Sequence, residues 1–295
     1  AARNRAEKRH SAFMEKLAKF RVLDPACGSG NFLNLALLTL KDIEHRANLE
    51  AESLGLPRGF PRVGPECVLG IEINPYAAEL ARVSVWIGEI QWMRKNGFSA
   101  NTNPVLRPLD TIENADALVV EHLDREDWTE KAWPEADVIV GNPPFLGDRR
   151  MISVLGENYV TRLRALYGKQ LPGRSDLVCY WFAKALKMLA TGDVKRVGLV
   201  ATNSIAGGNN LPLMKRVANE STIWDAWRDE PWVVDGAAVR VALVCFGTPP
   251  AGAFRLEGEE VSEIRATLRA GPTLSDAVQL DQNTGVSFIG TQKNG

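Results

Sequence analysis

Short apolar runs alternate along this chain with longer segments of helical periodicity, and this alternation constrains the fold more than any other feature. Four runs have the composition of buried strands, at residues 20–24, 67–72, 137–141 and 197–201. Segments with helical patterning occur at residues 4–19, 31–54 and 176–189, and Pro75 stands where a further helix would begin. This order predicts an α/β fold, in which a doubly wound, mostly parallel sheet is covered by helices on both faces.

The end of the chain has a different pattern. Two apolar stretches, residues 223–234 and 239–246, are long enough to pair with each other and predict a C-terminal antiparallel hairpin. Beyond residue 248 the chain becomes polar and rich in glycine. We therefore expect residues 1–248 to form one domain and residues 249–295 to form a linker or tail.

Composition excludes several classes of protein. The chain is 45% apolar and 24% charged, which argues against collagen-like, disordered and disulfide-rich chains. Its 35 basic and 36 acidic side chains give a net charge of −1, so a polyanionic partner would have to meet a local basic patch. Four scattered cysteines favour a reducing, cytoplasmic location, and no apolar run reaches the ~20 residues that cross a membrane. Because the chain begins with Ala1, we expect it to be part of a longer polypeptide.

A glycine-rich turn, Asp24-Pro25-Ala26-Cys27-Gly28-Ser29-Gly30-Asn31-Phe32, separates the first predicted strand from a predicted helix. Glycines let the backbone turn sharply, and the free N–H groups of a new helix can hold an anion. Position 33 is leucine, and the first acidic residue at the end of a following strand is Glu72, far beyond the usual spacing for NAD. The pattern favours a nucleoside ligand without a pyrophosphate, with its ribose diol on Glu72. The alternative is a tight structural turn and a surface glutamate.

A second motif, Asn142-Pro143-Pro144-Phe145, follows the predicted strand at residues 137–141. The prolines end the strand and keep the backbone extended. The Asn142 side-chain oxygen and the Pro143 carbonyl can then accept both hydrogens of one planar amino group, while Phe145 offers a face for ring stacking. The alternative is a rigid turn that ends a strand and buries a phenylalanine.

Together the two motifs resemble those of the amino-group DNA methyltransferases that modify adenine. The resemblance is strongest to the methylase part of fused restriction-modification enzymes of the type IIG, MmeI-like branch. It implies a class I methyltransferase fold, S-adenosylmethionine as cofactor, and direct methyl transfer to the N6 amine of an adenine flipped out of double-stranded DNA. It also implies that residues 142–145 are catalytic and that no metal takes part. The absence of a Pro-Cys dipeptide and the wide separation of the three histidines agree with this reading.

The resemblance also assigns cofactor contacts. They would come from Asp24, Pro25, Ala26, Cys27, Gly28, Gly30, Asn31, Phe32, Glu72, Ile73, Asp116, Ala117 and Asp176. Within this set, Asp116 would accept from the adenine amine of the cofactor, a role for which Asp110 competes, and Asp176 would line the cofactor and target pockets. Cys27 would be a small filler of the turn. The helix at residues 4–19 would fill the preceding motif, although it lacks the usual aromatic-Thr-Pro run.

Residues 146–175 contain six basic and two acidic side chains directly after the second motif. This polar stretch is interpreted either as a lid that contacts DNA phosphates, through Arg149, Arg150 and Arg174, or as an ordinary solvated loop. Trp224, Trp227 and Trp232 are expected to be core rather than base-stacking residues.

The resembled enzymes carry further domains. The resemblance therefore implies target-recognition and nuclease domains outside this chain, with residues 281–291 as the linker to the former. Two other functions remain open at this point. One is methylation of a protein glutamine amide or of guanine in RNA, and the other is a non-catalytic DNA-binding subunit.

Overall fold

The computed structural model describes residues 2–57, 59–98, 109–122, 124, 127–234, 237–252 and 254–271. The helices in this part are α1 (Ala2–Ala18), α2 (Asn31–Ser53), α3 (Pro75–Lys95), α4 (Asp148–Leu155), α5 (Glu157–Tyr167), α6 (Val178–Thr191) and α7 (Leu211–Glu220). The strands are β1 (Val22–Asp24), β2 (Val68–Glu72), β3 (Ile112–Asn114), β4 (Val119–His122), β5 (Asp127–Glu130), β6 (Val138–Gly141), β7 (Arg196–Thr202), β8 (Thr222–Val234), β9 (Ala237–Gly247), β10 (Phe254–Leu256) and β11 (Glu259–Val261).

Nine strands form one sheet in the order β11-β10-β8-β9-β7-β6-β1-β2-β3. The five strands from β7 to β3 are parallel, and β9 pairs antiparallel with both β7 and β8. β4 and β5 form a separate antiparallel pair. The predicted α/β fold with a mostly parallel sheet and a C-terminal hairpin is therefore confirmed.

Adjacent side chains of β1 are buried in different cores, because successive side chains of a strand point to opposite faces of the sheet. Val22 is buried with residues of α2 and α3, such as Leu33 and Val85. Leu23 is buried on the opposite face in the larger core, which includes Phe182 of α6. Helices thus cover both faces of the parallel strands, and the chain reverses its direction of winding between β1 and β6. In sheets of this kind, ligands bind at that reversal, outside the carboxyl ends of the strands.

The stretch after residue 146 is mostly helical, so the prediction of a polar loop was wrong. Its helices α4 and α5 bury Met151, Val160, Leu163 and Tyr167. The last three recur at helical spacing, but the charged residues between them hid the apolar stripe. The three tryptophans expected in the core lie in β8 and are half-buried.

Residues 249–271 are not the linker that the sequence suggested. β10 and β11 extend the sheet past β8, and Ile264 and Leu268 are buried in the larger core. This polar, glycine-rich stretch therefore packs on the domain through strand pairing and a few apolar side chains. The rest of the predicted tail, including residues 281–291, lies outside the described residues. No helix in the part that the structure describes is long and apolar enough to span a membrane.

Candidate active site

The two sequence motifs meet because β1 and β6 are neighbours with parallel pairing, Val22 opposite Val138 and Leu23 opposite Ile139. Asp24 ends β1, and its Oδ1 accepts a hydrogen bond from the Ala26 N–H at 3.0 Å. A Cβ atom on Gly141 would lie 2.7 Å from that same oxygen. Glycine at the end of β6 therefore allows the glycine turn and the Asn142 motif to lie side by side.

Gly28 and Gly30 both adopt positive φ angles, +53° and +84°. A Cβ on Gly30 would lie 2.9 Å from the Cα of Ala81, so this glycine allows α3 to pack against the turn. A Cβ on Gly28 would meet nothing within 4 Å. Cys27 is buried behind the turn as a core side chain, and burial raises the pKa of its thiol. The turn is thus packed on one side and open beside Gly28.

Glu72 ends β2 next to this turn. Its Oε2 accepts from the Gly28 N–H at 2.9 Å, and its Oε1 accepts from the Asn74 N–H at 2.8 Å. A carboxylate oxygen has two acceptor positions, so both oxygens can still take a donor from a ligand. Ile73 follows with 66% of its surface exposed. Glu72 therefore lies beside the glycine turn, next to which the sequence predicts an acidic residue.

A cavity of about 500 Å³ opens at this end of the sheet. Nine of the predicted site residues line it, namely Pro25, Ala26, Glu72, Ile73, Asp116, Ala117, Asn142, Pro144 and Phe145. The other side chains of its wall are apolar or aromatic, among them Leu146, Val154, Leu155, Tyr159, Leu177 and Trp181. This volume is in the range of small-molecule pockets, and a mainly apolar wall with a few polar groups is their usual composition.

Asp116 lines this cavity and Asp110 does not. The Asp116 Oδ1 accepts from the N–H groups of Leu118 and Val119, at 2.7 and 3.3 Å. Its Oδ2 accepts from the Tyr159 hydroxyl at 2.8 Å. Asp110 is exposed and lies on a different cavity, beside Trp133. Of the two candidates for the amine-accepting carboxylate, the structure brings only Asp116 to the other site residues.

Asn142 carries a buried polar atom, its side-chain Oδ1, without a hydrogen-bond partner among the described residues. A buried acceptor without a partner costs free energy, so such an atom at a cavity wall indicates where a ligand donor would bind. Pro143 is buried and does not line the cavity, whereas Pro144 and Phe145 do.

Several predicted cofactor residues lie outside this cavity. Asn31 is exposed on the first turn of α2, and Phe32 lines a separate apolar cavity beside α1. Asp176 links other elements instead. Its Oδ1 accepts from the Asp148 N–H at 3.0 Å, and its Oδ2 accepts from Ser204 and Asn210, at 3.1 and 2.7 Å. Asp176 thereby joins the start of α4 to the segment that follows β7.

Asp24 lies behind the cavity wall and is 1% exposed. Burial raises the pKa of its carboxyl to about 7, and the nearby Glu72 carboxylate acts in the same direction.

Arg149, Arg150 and Arg174 are exposed, as a contact with phosphates would require. Within the described ranges, no group of three or more His, Cys, Asp or Glu side chains could hold a metal ion.

The sequence reasoning missed two aromatic residues of the wall. Trp181 on α6 donates through Nε1 to the Pro25 carbonyl at 3.0 Å and so fixes the glycine turn. Tyr159 on α5 binds Asp116. The apolar spacing of Val160, Leu163 and Tyr167 was the signal that α5 exists. No local pattern indicated that Tyr159 would reach a residue 43 positions earlier in the chain.

The sheet order, the glycine turn after β1 and the acidic residue at the end of β2 define the class I methyltransferase fold. A family model described as "MmeI, DNA-methyltransferase domain" matches residues 1–253, and the chain belongs to this family.

Two of the curated relatives that the chain matches are methyltransferases. DNA methyltransferase A of Bacillus subtilis (strain 168) is 28% identical over 244 residues, which cover 79% of this chain and 27% of the relative. Type II methyltransferase M.XhoI of Xanthomonas vasicola is 27% identical over 190 residues, which cover 63% of this chain and 29% of the relative. The chain therefore spans less than a third of the length of these relatives.

A solved structure of the type IIL restriction-modification enzyme MmeI in complex with DNA has the same fold. Its TM-score is 0.70 at 24% identity, and the match covers 92% of this chain and 38% of that chain. At this identity the likeness concerns the fold alone.

Proposed function

We propose that this chain is the methyltransferase domain of a restriction-modification enzyme and that it methylates the N6 amine of adenine in double-stranded DNA. The observation that carries the proposal is the buried, unpartnered Oδ1 of Asn142, in the same cavity as Glu72 and Asp116. An acceptor that lacks a donor is what a site for an amino group needs, and the two carboxylates suit a nucleoside cofactor beside it.

The cavity fits S-adenosylmethionine. Glu72 would accept from the ribose hydroxyls, since both of its oxygens keep an acceptor position. Asp116 would accept from the purine amine, and the apolar wall, including the exposed Ile73, suits the purine ring. The open space beside Gly28 leaves room for the remainder of the molecule. When bound, this cofactor supplies the methyl group that is transferred.

The Asn142 motif would act on the amine that receives the methyl group. Asn142 Oδ1 and the Pro143 carbonyl would each accept one hydrogen of the amine. Positive charge develops on the nitrogen as its lone pair forms the new bond, and two acceptors fixed in advance stabilise that charge without reorganising. The prolines keep both oxygens in place, and Phe145 offers a face on which the base stacks. These groups orient the base and hold its protons while the new N–C bond forms. The methylated nitrogen would then release one proton to water, so the reaction as written needs no other group from this chain.

Adenine inside a duplex is out of reach of such a cavity, so the base would have to be flipped out, at a cost of a few kcal/mol. Phosphate contacts from Arg149, Arg150 and Arg174 would offset part of that cost. Because the chain spans only a fraction of its relatives, we propose that target-recognition and nuclease domains belong to the same polypeptide outside this chain.

The test uses the complete polypeptide with methyl-labelled cofactor and three separate acceptors: double-stranded DNA, RNA and protein. We expect label in DNA, recovered after digestion as N6-methyl-2′-deoxyadenosine. Label only in RNA or in protein glutamine would contradict the proposal, as would label on the amine of cytosine. Binding of the cofactor and of DNA without any transfer would favour a non-catalytic subunit instead.

A further inference from the structure

Tyr159 is the only tyrosine on the wall of the described cavity, and its hydroxyl has no role in the proposed reaction. Its hydroxyl donates to Asp116 Oδ2 at 2.8 Å. Burial, together with the Asp116 carboxylate, raises the pKa of this phenol, so it stays protonated and keeps donating. Its ring packs edge-on against Trp128, with ring centroids 5.7 Å apart. The hydroxyl is therefore a fixed donor to one particular oxygen.

The acceptor positions of Asp116 can be counted. A carboxylate offers roughly four, two on each oxygen. Oδ1 takes the N–H groups of Leu118 and Val119, and Oδ2 takes the Tyr159 hydroxyl. One position remains, on Oδ2, and Asp116 lines the cavity. The carboxylate can thus accept one further hydrogen, and Tyr159 determines which side of Oδ2 is left for it.

We propose that Tyr159 is a positioning residue that makes the site selective for a cofactor with an exocyclic amine on its purine. This inference rests on the proposed function, because it assumes that Asp116 faces the cofactor purine. With Tyr159 on one side of Oδ2, Asp116 presents a single acceptor to one hydrogen of the amine. A purine without the amine leaves that acceptor unpartnered, and a purine with a carbonyl oxygen there brings a lone pair toward a carboxylate.

The hydroxyl is not needed to hold α5 in place. α5 is anchored by the buried Val160 and Leu163, and by Tyr167, whose hydroxyl donates to the Leu118 carbonyl at 3.2 Å. Tyr167 is the matched comparison. It lies on the same helix and binds the same segment of chain, but it contacts the backbone rather than Asp116.

The experiment measures the dissociation constants of two ligands, S-adenosylhomocysteine and its analogue with hydrogen in place of the purine amine. The complete polypeptide is used as wild type, Tyr159→Phe and Tyr167→Phe. We expect the wild type to prefer the amine by about tenfold or more, since a buried acceptor is otherwise left unpartnered. Tyr159→Phe should weaken the amine ligand by about fivefold and the analogue by less than about twofold. Tyr167→Phe should leave the preference intact, whatever it does to stability.

The outcomes distinguish a failure of the proposed function from a failure of the role inferred for Tyr159. If the wild type binds neither ligand, the proposed function fails, and this inference fails with it. If the wild type prefers the amine and Tyr159→Phe retains the full preference, only this inference is overturned. Should Tyr159→Phe not fold, Asp116→Asn gives an independent answer, because its amide oxygen still accepts from the Leu118 N–H while Oδ2 is replaced by an NH₂ group. We expect that variant to lose the preference, and a retained preference contradicts the inference.

Discussion

Gly28 and Gly30 both have positive φ but differ in their surroundings, so we expect substitution by alanine to have different effects at the two positions. A Cβ on Gly30 would lie 2.9 Å from the Ala81 Cα and 3.0 Å from its Cβ. These atoms belong to the packed helix α3 and cannot rotate away. A Cβ on Gly28 has open space. Gly30→Ala should therefore destabilise the fold, whereas Gly28→Ala should mainly obstruct the ligand.

The magnitudes follow from two contributions. An alanine in the left-handed region costs roughly 1–2 kcal/mol, and this applies to both positions. Forcing the additional carbon against α3 adds about 1–3 kcal/mol at Gly30 alone. We expect the free energy of unfolding to fall by about 2–5 kcal/mol for Gly30→Ala and by about 1–2 kcal/mol for Gly28→Ala.

Urea denaturation gives both free energies, and titration with S-adenosylhomocysteine at a temperature where both variants are folded gives the affinities. Gly28→Ala should be the more stable variant and the weaker binder. Equal destabilisation of the two variants would refute the packing argument. Unchanged affinity of Gly28→Ala would refute the assignment of the open space to the ligand.

Two further variants test the electrostatics of the domain. Because the pKa of Asp24 rises from 3.8 to about 7 on folding, the folded protein binds more protons than the unfolded chain between these values, and stability falls as pH rises through that window. Asp24→Asn cannot ionise, so it should lose less stability than wild type between about pH 5 and about pH 8 in urea denaturation, and an identical profile would contradict the shift. Replacing Arg149 and Arg150 by glutamine should weaken DNA binding and reduce the slope of log affinity against log salt by about 2, with S-adenosylhomocysteine affinity unchanged. The control is the same replacement of Arg94 and Lys95, which are exposed at the far end of α3; equal effects of the two pairs would remove the case for a specific DNA contact.

Long elements with a clear period could be predicted from the sequence. Buried strands such as β2 and β6, and the helix α2, were placed within a few residues, and the start of α3 was placed at Pro75. The strands β3, β4 and β5 were missed, because each has only three or four residues and alternates too briefly to show a pattern. The helices α4 and α5 were missed because their apolar stripes are narrow and separated by charged residues.

The site was predictable where it depends on strand ends. Parallel strands bring their carboxyl ends to one edge, so the order of the strands alone places Glu72 and Asn142 near the glycine turn. Contacts that depend on helix packing were not predictable. Phe32 follows the turn directly but faces another cavity, and Tyr159 reaches Asp116 only because α5 packs over the site.

The central claim is that Asn142 accepts a hydrogen of the reacting amine. It is tested most directly by the single-turnover rate of methyl transfer to DNA adenine, compared between the complete wild-type polypeptide and Asn142→Ala. Asn219→Ala, at an exposed position of α7, serves as the matched control. We predict that Asn142→Ala lowers the rate by about 100-fold or more while the cofactor dissociation constant stays within a few-fold of wild type. A rate close to that of wild type, or a loss of cofactor affinity as large as the loss of rate, would contradict the claim.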